Sequence, residues 1–315
     1  MAVIAAFAVA FAVAVVATPV AAAIAARVGL VDHPGPLKVH RRPVPYLGGA
    51  AVFAAIVGPV AGAHPYALVP LGLAFAVGLA DDAGDLPPLA RMLVEIGIGV
   101  AAAFALARHD APWVVLGVVV VVLLLNAVNL LDGLDGLAAS VGIASAVGLA
   151  TVLGGPAAVL PVALAGALAG FVVWNRPPAR VYLGDAGSYL IGTALAIALL
   201  DALQRPAAVA AGATLFVGVA AADTAIAILR RWRAHRPLLR GDRGHVYDQL
   251  VDRGWSPVAA VGALLAAQAA LTGAGVAVSH LSRGVAIAVA VGVVALVGVP
   301  AIAFFTSPRS WRTEV

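Results

Sequence analysis

The sequence predicts an all-α, polytopic integral membrane protein with about eleven transmembrane helices and its chemistry on the cytoplasmic loops. Three observations predict it. Hydrophobic residues make up 63% of the chain and charged residues only 11%, with a mean hydropathy of +1.05, whereas soluble domains carry about 25% charged residues. Apolar stretches near the ~20 residues that a helix needs to cross hydrocarbon recur from one end of the chain to the other. Finally, sixteen of the nineteen lysines and arginines fall in alternate loops, which is the positive-inside asymmetry. The absence of cysteine excludes disulfides and thiolate metal sites.

The first apolar segment lacks a basic leader and outruns the ~7–15-residue core of a signal peptide, so 3–26 is read as a span. The others are 47–63, 65–80, 89–107, 112–130, 137–153, 157–174, 188–204, 207–229, 258–279 and 284–305, in a single transmembrane domain over 1–315. With the arginine-rich loops inside, the N-terminus lies outside and the C-terminus in the cytoplasm of a plasma (inner) membrane. Asp81, Asp82, Asp85, Asp132, Asp135, Asp185, Asp242, Asp248 and Asp252 fall on the same face as the arginines. Acids contribute little to orientation, and a shared cytoplasmic site explains their bias. Asp110 and Asp201 are placed on the opposite face and Glu95 within a span.

Four polar stretches lie at the cytoplasmic ends of these spans. In "DHPGPLKVHRRPVPYLGGA" (32–50) the prolines forbid a long helix, and Gly48-Gly49 permits close backbone approach. Lys38, His40, Arg41 and Arg42 form a cationic cluster, either an anchor to anionic membrane lipids or a phosphate clamp. In "GLADDAGDLPP" (78–88), Asp81 and Asp85 share a helical face at a helix C-terminus, where like charges and the dipole are both unfavourable without a cation. A hard divalent ion with oxygen ligands answers both penalties.

In "NAVNLLDGLDG" (126–136), Asn126, Asn129, Asp132 and Asp135 are spaced three apart; they would eclipse in a 3₁₀ turn and spread over half the circumference of an α-helix. In "NRPPARVYLGDAGSYLIG" (175–192), Asp185 precedes a span, as an ordinary N-cap or as part of an anion site, and Tyr182 offers an aromatic face. The last long loop, "RRWRAHRPLLRGDRGHVYDQLVDRGWSP" (230–257), is the most polar stretch, with His245 flanked by Arg243 and Asp248.

From Asp32 to Trp255 these motifs, in order, resemble the polyprenyl-phosphate N-acetylhexosamine-1-phosphate transferases: K-x-H-x-x-P-x-P-x-x-G-G, D-D-x-x-D, N-x-x-N-x-x-D-G-x-D-G and G-D-x-G-S. The resemblance implies transfer of a sugar-1-phosphate from a UDP-N-acetylhexosamine to undecaprenyl or decaprenyl phosphate, with UMP released and Mg²⁺ (or Mn²⁺) required. It implies that Asp185 is the principal metal ligand, assisted by Asp81 and Asp82, and that these three with His245 form the catalytic set. It also implies that Lys38, His40, Arg41, Asn126, Asn129, Asp132, Asp135, Asn175, Tyr182 and Arg243 bind substrate, with Tyr182 replacing a Phe that stacks on uracil. A second copy in a homodimer and membrane lipids are the remaining expected partners; nucleic acid is not among them.

Two departures stand out. The final loop reads "HVYD" where the family carries an H-x-H-H cluster, and "PVPYLGG" in the first loop points to the GlcNAc-type branch. Two alternatives follow: a regulatory pseudo-enzyme of the same fold, or a membrane transporter. A transporter would place its acids near the midplane rather than at one face.

Overall fold

The computed structural model describes residues 2–33, 42–84, 86–237 and 243–306. Lys38, His40, Arg41 and Asp85 lie outside the described residues. The chain is a bundle of α-helices: α1 (Ala2–Val28), α2 (Gly48–Ala63), α3 (Leu68–Gly84), α4 (Pro88–Ala105), α5 (Ala111–Leu131), α6 (Leu137–Leu153), α7 (Val159–Asn175), α8 (Gly184–Leu203), α9 (Ala207–Leu215), α10 (Gly218–Arg233), α11 (Val246–Asp252), α12 (Pro257–Ser279), α13 (Arg283–Val293) and α14 (Val299–Phe305). Two short strands, β1 (Val31–Asp32) and β2 (Val44–Pro45), pair antiparallel across the first loop.

Among the described residues eight helices are long and apolar enough to cross a membrane, and a ninth span results if α9 and α10 are taken together. The predicted segments 47–63 and 137–153 are helical but short, as α2 and α6. Pro88 at the first position of α4, and Asp110 accepting from Trp113 N (3.3 Å) ahead of α5, start two spans where proline and capping chemistry lead one to expect it.

The centre of the bundle is α8. Its residues from Ala186 to Leu200 are buried throughout, so in a membrane it faces protein rather than lipid. Helices α2, α3, α5, α6 and α9 surround it, and its apolar side chains join those of α3, α5 and α7 in the main core. A helix that is apolar on every face must be enclosed in this way.

The predicted span 207–229 is not continuous. It breaks between α9 and α10, which meet at 62°. A break exposes backbone groups that hydrocarbon cannot satisfy, and a side chain from α12 satisfies them. Gln268, fully buried, accepts from Val219 N (3.0 Å) through Oε1 and donates through Nε2 to the carbonyls of Phe216 (2.9 Å) and Leu215 (3.3 Å).

Candidate functional site

The first turn of α8 is the hub of the site. Helix α3 runs to Gly84, so Asp82 stands on a regular helix. Its Oδ1 accepts from Asp185 N (2.8 Å) and its Oδ2 from Ala186 N (3.0 Å). Asp82 thus caps a helix distant in sequence, answering N–H groups that a helix start leaves open. This contact needs close packing: a Cβ on Gly78 would run into Asp185 and Ala186, and one on Gly49 into Ala186 and Gly187. The Gly-Gly doublet also donates its backbone, Gly48 N to Tyr182 O (3.0 Å) and Gly49 N to Leu183 O (2.8 Å).

Asp185, in the first turn of α8, is not the N-cap of its helix; that position belongs to Leu183. Its Oδ1 accepts from Asn129 Nδ2 (2.6 Å), which also donates to Ser188 Oγ (3.1 Å). Asn126, one turn earlier on α5, is turned away: its Nδ2 donates to Glu95 Oε2 (2.8 Å) and to Val122 O (2.9 Å). The α-helix is regular through Leu131, with Asp132 as its C-cap, so the spacing of three spreads these groups, and only Asn129 meets Asp185.

Asp81 is buried and well supplied with donors. Its Oδ1 accepts from Leu86 N (2.8 Å), and its Oδ2 from Tyr189 OH (2.8 Å) and Arg91 Nη1 (3.1 Å). Arg91 also faces Glu95, with Nε 3.7 Å from Oε1. Arg91 and Tyr189 therefore hold Asp81 in place, and neither stands out from the sequence except by its position beside the acids.

A second cluster of side chains ties the loops together. Asn175, buried at the end of α7, accepts from Gly136 N through Oδ1 (2.9 Å) and donates to Val181 O through Nδ2 (2.8 Å). Asp135 Oδ2 accepts from Ala179 N (2.8 Å). Both residues brace the 132–136 turn against the 176–183 segment. Asp132 is left at the centre, its carboxyl raised well above the ordinary range by burial and then by the Asp185, Asp82 and Asp135 charges. Tyr182 is half-buried and pushed up to about 12 by burial and by Asp135, Asp32 and Asp132.

The last loop closes on this cluster. Tyr247 OH donates to Leu130 O (3.2 Å), and its ring occupies the place where a Cβ on Gly133 would sit. His245, 3% exposed, stacks on Tyr247 with ring centroids 5.6 Å apart. Its Nδ1 lies 2.7 Å from Asp223 Oδ2, and Asp223 Oδ1 accepts from Val246 N (2.7 Å). Asp248 is raised by burial against the pull of His245 and Arg243. Arg243 is exposed, its Nε 3.8 Å from Asp248 Oδ1. Asp223 escapes a reading by motif spacing; its only sequence signal is a single acid in the apolar run "VGVAAADTAIAI".

Asp81, Asp82, Asp132, Asp135, Asp185, Asn129, Asn175 and Tyr182 are thus brought together at one end of the bundle, with His245 at its edge. Asp132 lies within the electrostatic reach of Asp185, Asp82 and Asp135. Carboxyls gathered this closely repel unless a proton or a cation is shared among them. Among the described residues no three carboxylate or imidazole groups close around one point.

Comparison with known proteins agrees with this architecture. The sequence profile described as glycosyl transferase family 4 matches residues 64–203. The chain is 32% identical to the decaprenyl-phosphate N-acetylglucosaminephosphotransferase of Mycolicibacterium smegmatis, over 73% of this chain and 70% of the relative. It is 29% identical to a probable undecaprenyl-phosphate N-acetylglucosaminyl 1-phosphate transferase of Bacillus subtilis, over 81% and 78%. A third relative, the undecaprenyl-phosphate alpha-N-acetylglucosaminyl 1-phosphate transferase of Thermotoga maritima, is 28% identical over 69% and 71%.

Proposed function

The chain belongs to glycosyl transferase family 4, a family of multi-pass membrane enzymes, and from that premise we propose that it transfers N-acetylglucosamine-1-phosphate from the UDP-sugar to a polyprenyl phosphate. A lipid phosphate oxygen forms a bond to the sugar-bearing phosphorus, the bond to the other phosphate breaks, and UMP leaves. The observation that carries this reading is the meeting of Asp82, Asn129 and Asp185 at the first turn of α8, where the helices end. A lipid acceptor and a water-borne nucleotide can react only at such a boundary. The orientation that follows from the arginines puts this end in the cytoplasm.

Asp185 would hold Mg²⁺ as principal ligand, with Asp81, Asp82 and Asp132 around it. When bound, the ion offsets the repulsion between the phosphates and between these carboxylates. The chain's own contribution is placement: Asn129 orients Asp185, Asp82 fixes the turn that carries it, and the Asp135 and Asn175 braces set the loops. Tyr182 offers a ring to the base, and the basic first loop with Lys38, His40 and Arg41 a site for lipid phosphate. Positioning of this kind supplies most of phosphoryl-transfer catalysis.

The test is to incubate purified protein with polyprenyl phosphate, a panel of UDP-sugars and Mg²⁺ and to follow UMP. Release is expected with UDP-N-acetylglucosamine and not after chelation of the metal. Silence with every sugar in the panel rules the reading out and restores the pseudo-enzyme.

A further inference from the structure

Asp223 belongs to none of the four motifs, yet it is 2% exposed on a helix of the membrane bundle. An acid at such a place is costly, and is kept where it pairs with another group or serves function. Both of its oxygens are spent on one loop: Oδ1 accepts from Val246 N and Oδ2 faces His245 Nδ1, each at 2.7 Å. The backbone bond alone would anchor the loop. The second bond acts on the imidazole. An ionised carboxylate only accepts, so Nδ1 carries the proton and Nε2 is the ring atom left for another partner.

The rest of the loop restricts the ring further. Tyr247 stacks on it almost parallel, at 10°, and is tied to Leu130 O next to Asp132. His245 is the N-cap of α11, and the first turn of that helix carries Asp248. Nδ1 of His245 is thereby committed to Asp223, and among the described residues no hydrogen bond is made by its Nε2.

We propose that Asp223 is a positioning residue of the transferase: it fixes His245 through Nδ1 so that Nε2 is presented to a substrate phosphate. The inference rests on the transferase reading above. One well-held imidazole then does what a cluster of histidines would share. Paired with a carboxylate, the ring can carry a second proton on Nε2 and donate it in a hydrogen bond to a phosphate oxygen of the lipid or of the nucleotide sugar.

The experiment uses the full chain in detergent, with UMP release measured against each substrate in turn. Asp223→Asn is expected to lower kcat by about 10–100-fold, the usual cost of losing a group that orients a working imidazole. The same change made on top of His245→Ala is expected to cost nothing more, because the two serve one function. A KM that rises for the lipid phosphate alone, or for the UDP-sugar alone, supports the inference and says which phosphate is held. Equal losses from Asp223→Asn with and without His245 overturn it, as does an Asp223→Asn enzyme with wild-type kcat. Should Asp223→Asn not fold, His245→Asn decides: its amide N–H can replace Nδ1–H on Asp223 but supplies no Nε2. It is expected to melt like the wild type and to lose activity; full activity overturns the inference. A wild-type chain without transferase activity overturns the function first and this inference with it, whereas an active wild type with additive losses overturns this inference alone.

Discussion

Asp185 and Asp82 differ in what they do with their oxygens, and substitution separates them. Asp82 uses both oxygens to cap α8, whereas Asp185 accepts a side-chain bond from Asn129 at Oδ1. Asp185→Asn is therefore expected to fold normally, with an unchanged melting temperature, and to lose at least about 100-fold in kcat as a charge-bearing ligand is deleted. Near-wild-type turnover would move the metal site to the neighbouring acids. The Asp132 carboxyl makes a second prediction. Its pKa is raised by burial and by like charges, so the folded chain holds a proton that the unfolded chain gives up. That proton stabilises the fold at low pH, and the benefit is lost as pH climbs from the ordinary carboxylate range through the raised value. Without divalent cations the melting temperature should fall over that window, and Mg²⁺ should flatten the decline; a flat curve in chelator contradicts this. At this scale the carboxylates and Asn129 were legible because polar groups in spans are conspicuous. Asp223 was not, because its partner lies in a separate loop and spacing carries no trace of the pairing. Nor could spacing tell that Asn126 serves Glu95, while Asn129 serves Asp185.

Among the elements, the Gly48-Gly49 doublet announced a close approach but not its object, which is the start of α8. The broken helix was hidden altogether. Residues 207–229 have the length and apolarity of one span, and the reason they bend lies in another helix, where Gln268 satisfies the freed groups. Gln268→Leu leaves a donor and carbonyls buried without partners. The expected loss is about 1–3 kcal/mol of stability, seen as a lower melting temperature. Because α10 carries Asp223 and the bend sets its direction, transferase activity should fall as well. A variant as stable and active as the wild type would show that the break holds itself open.

For the whole molecule, composition was enough to establish the class, since a chain this apolar has no soluble alternative. The number of crossings was not fixed, because α2 and α6, at 16 and 17 residues, sit at the lower limit of a span. Orientation makes the prediction at this scale. The basic asymmetry predicts a cytoplasmic C-terminus, so a reporter active only outside, fused at Val315, should stay silent. An active reporter would invert the protein and put its carboxylate cluster on the face where no UDP-sugar is made.

The Gln268 staple also bears on how the chain enters the bilayer. Ribosomal synthesis delivers Val219 before Gln268, with 49 positions separating the two. During that interval nothing on α12 is available to meet the amides and carbonyls at the bend, and lipid offers no substitute. The nascent segment is therefore expected to cross as one straight helix and to acquire its 62° elbow only when α12 arrives beside it. The bent arm that carries Asp223 toward His245 is then a late product of assembly, and a polypeptide released before α12 would be inserted and yet lack it.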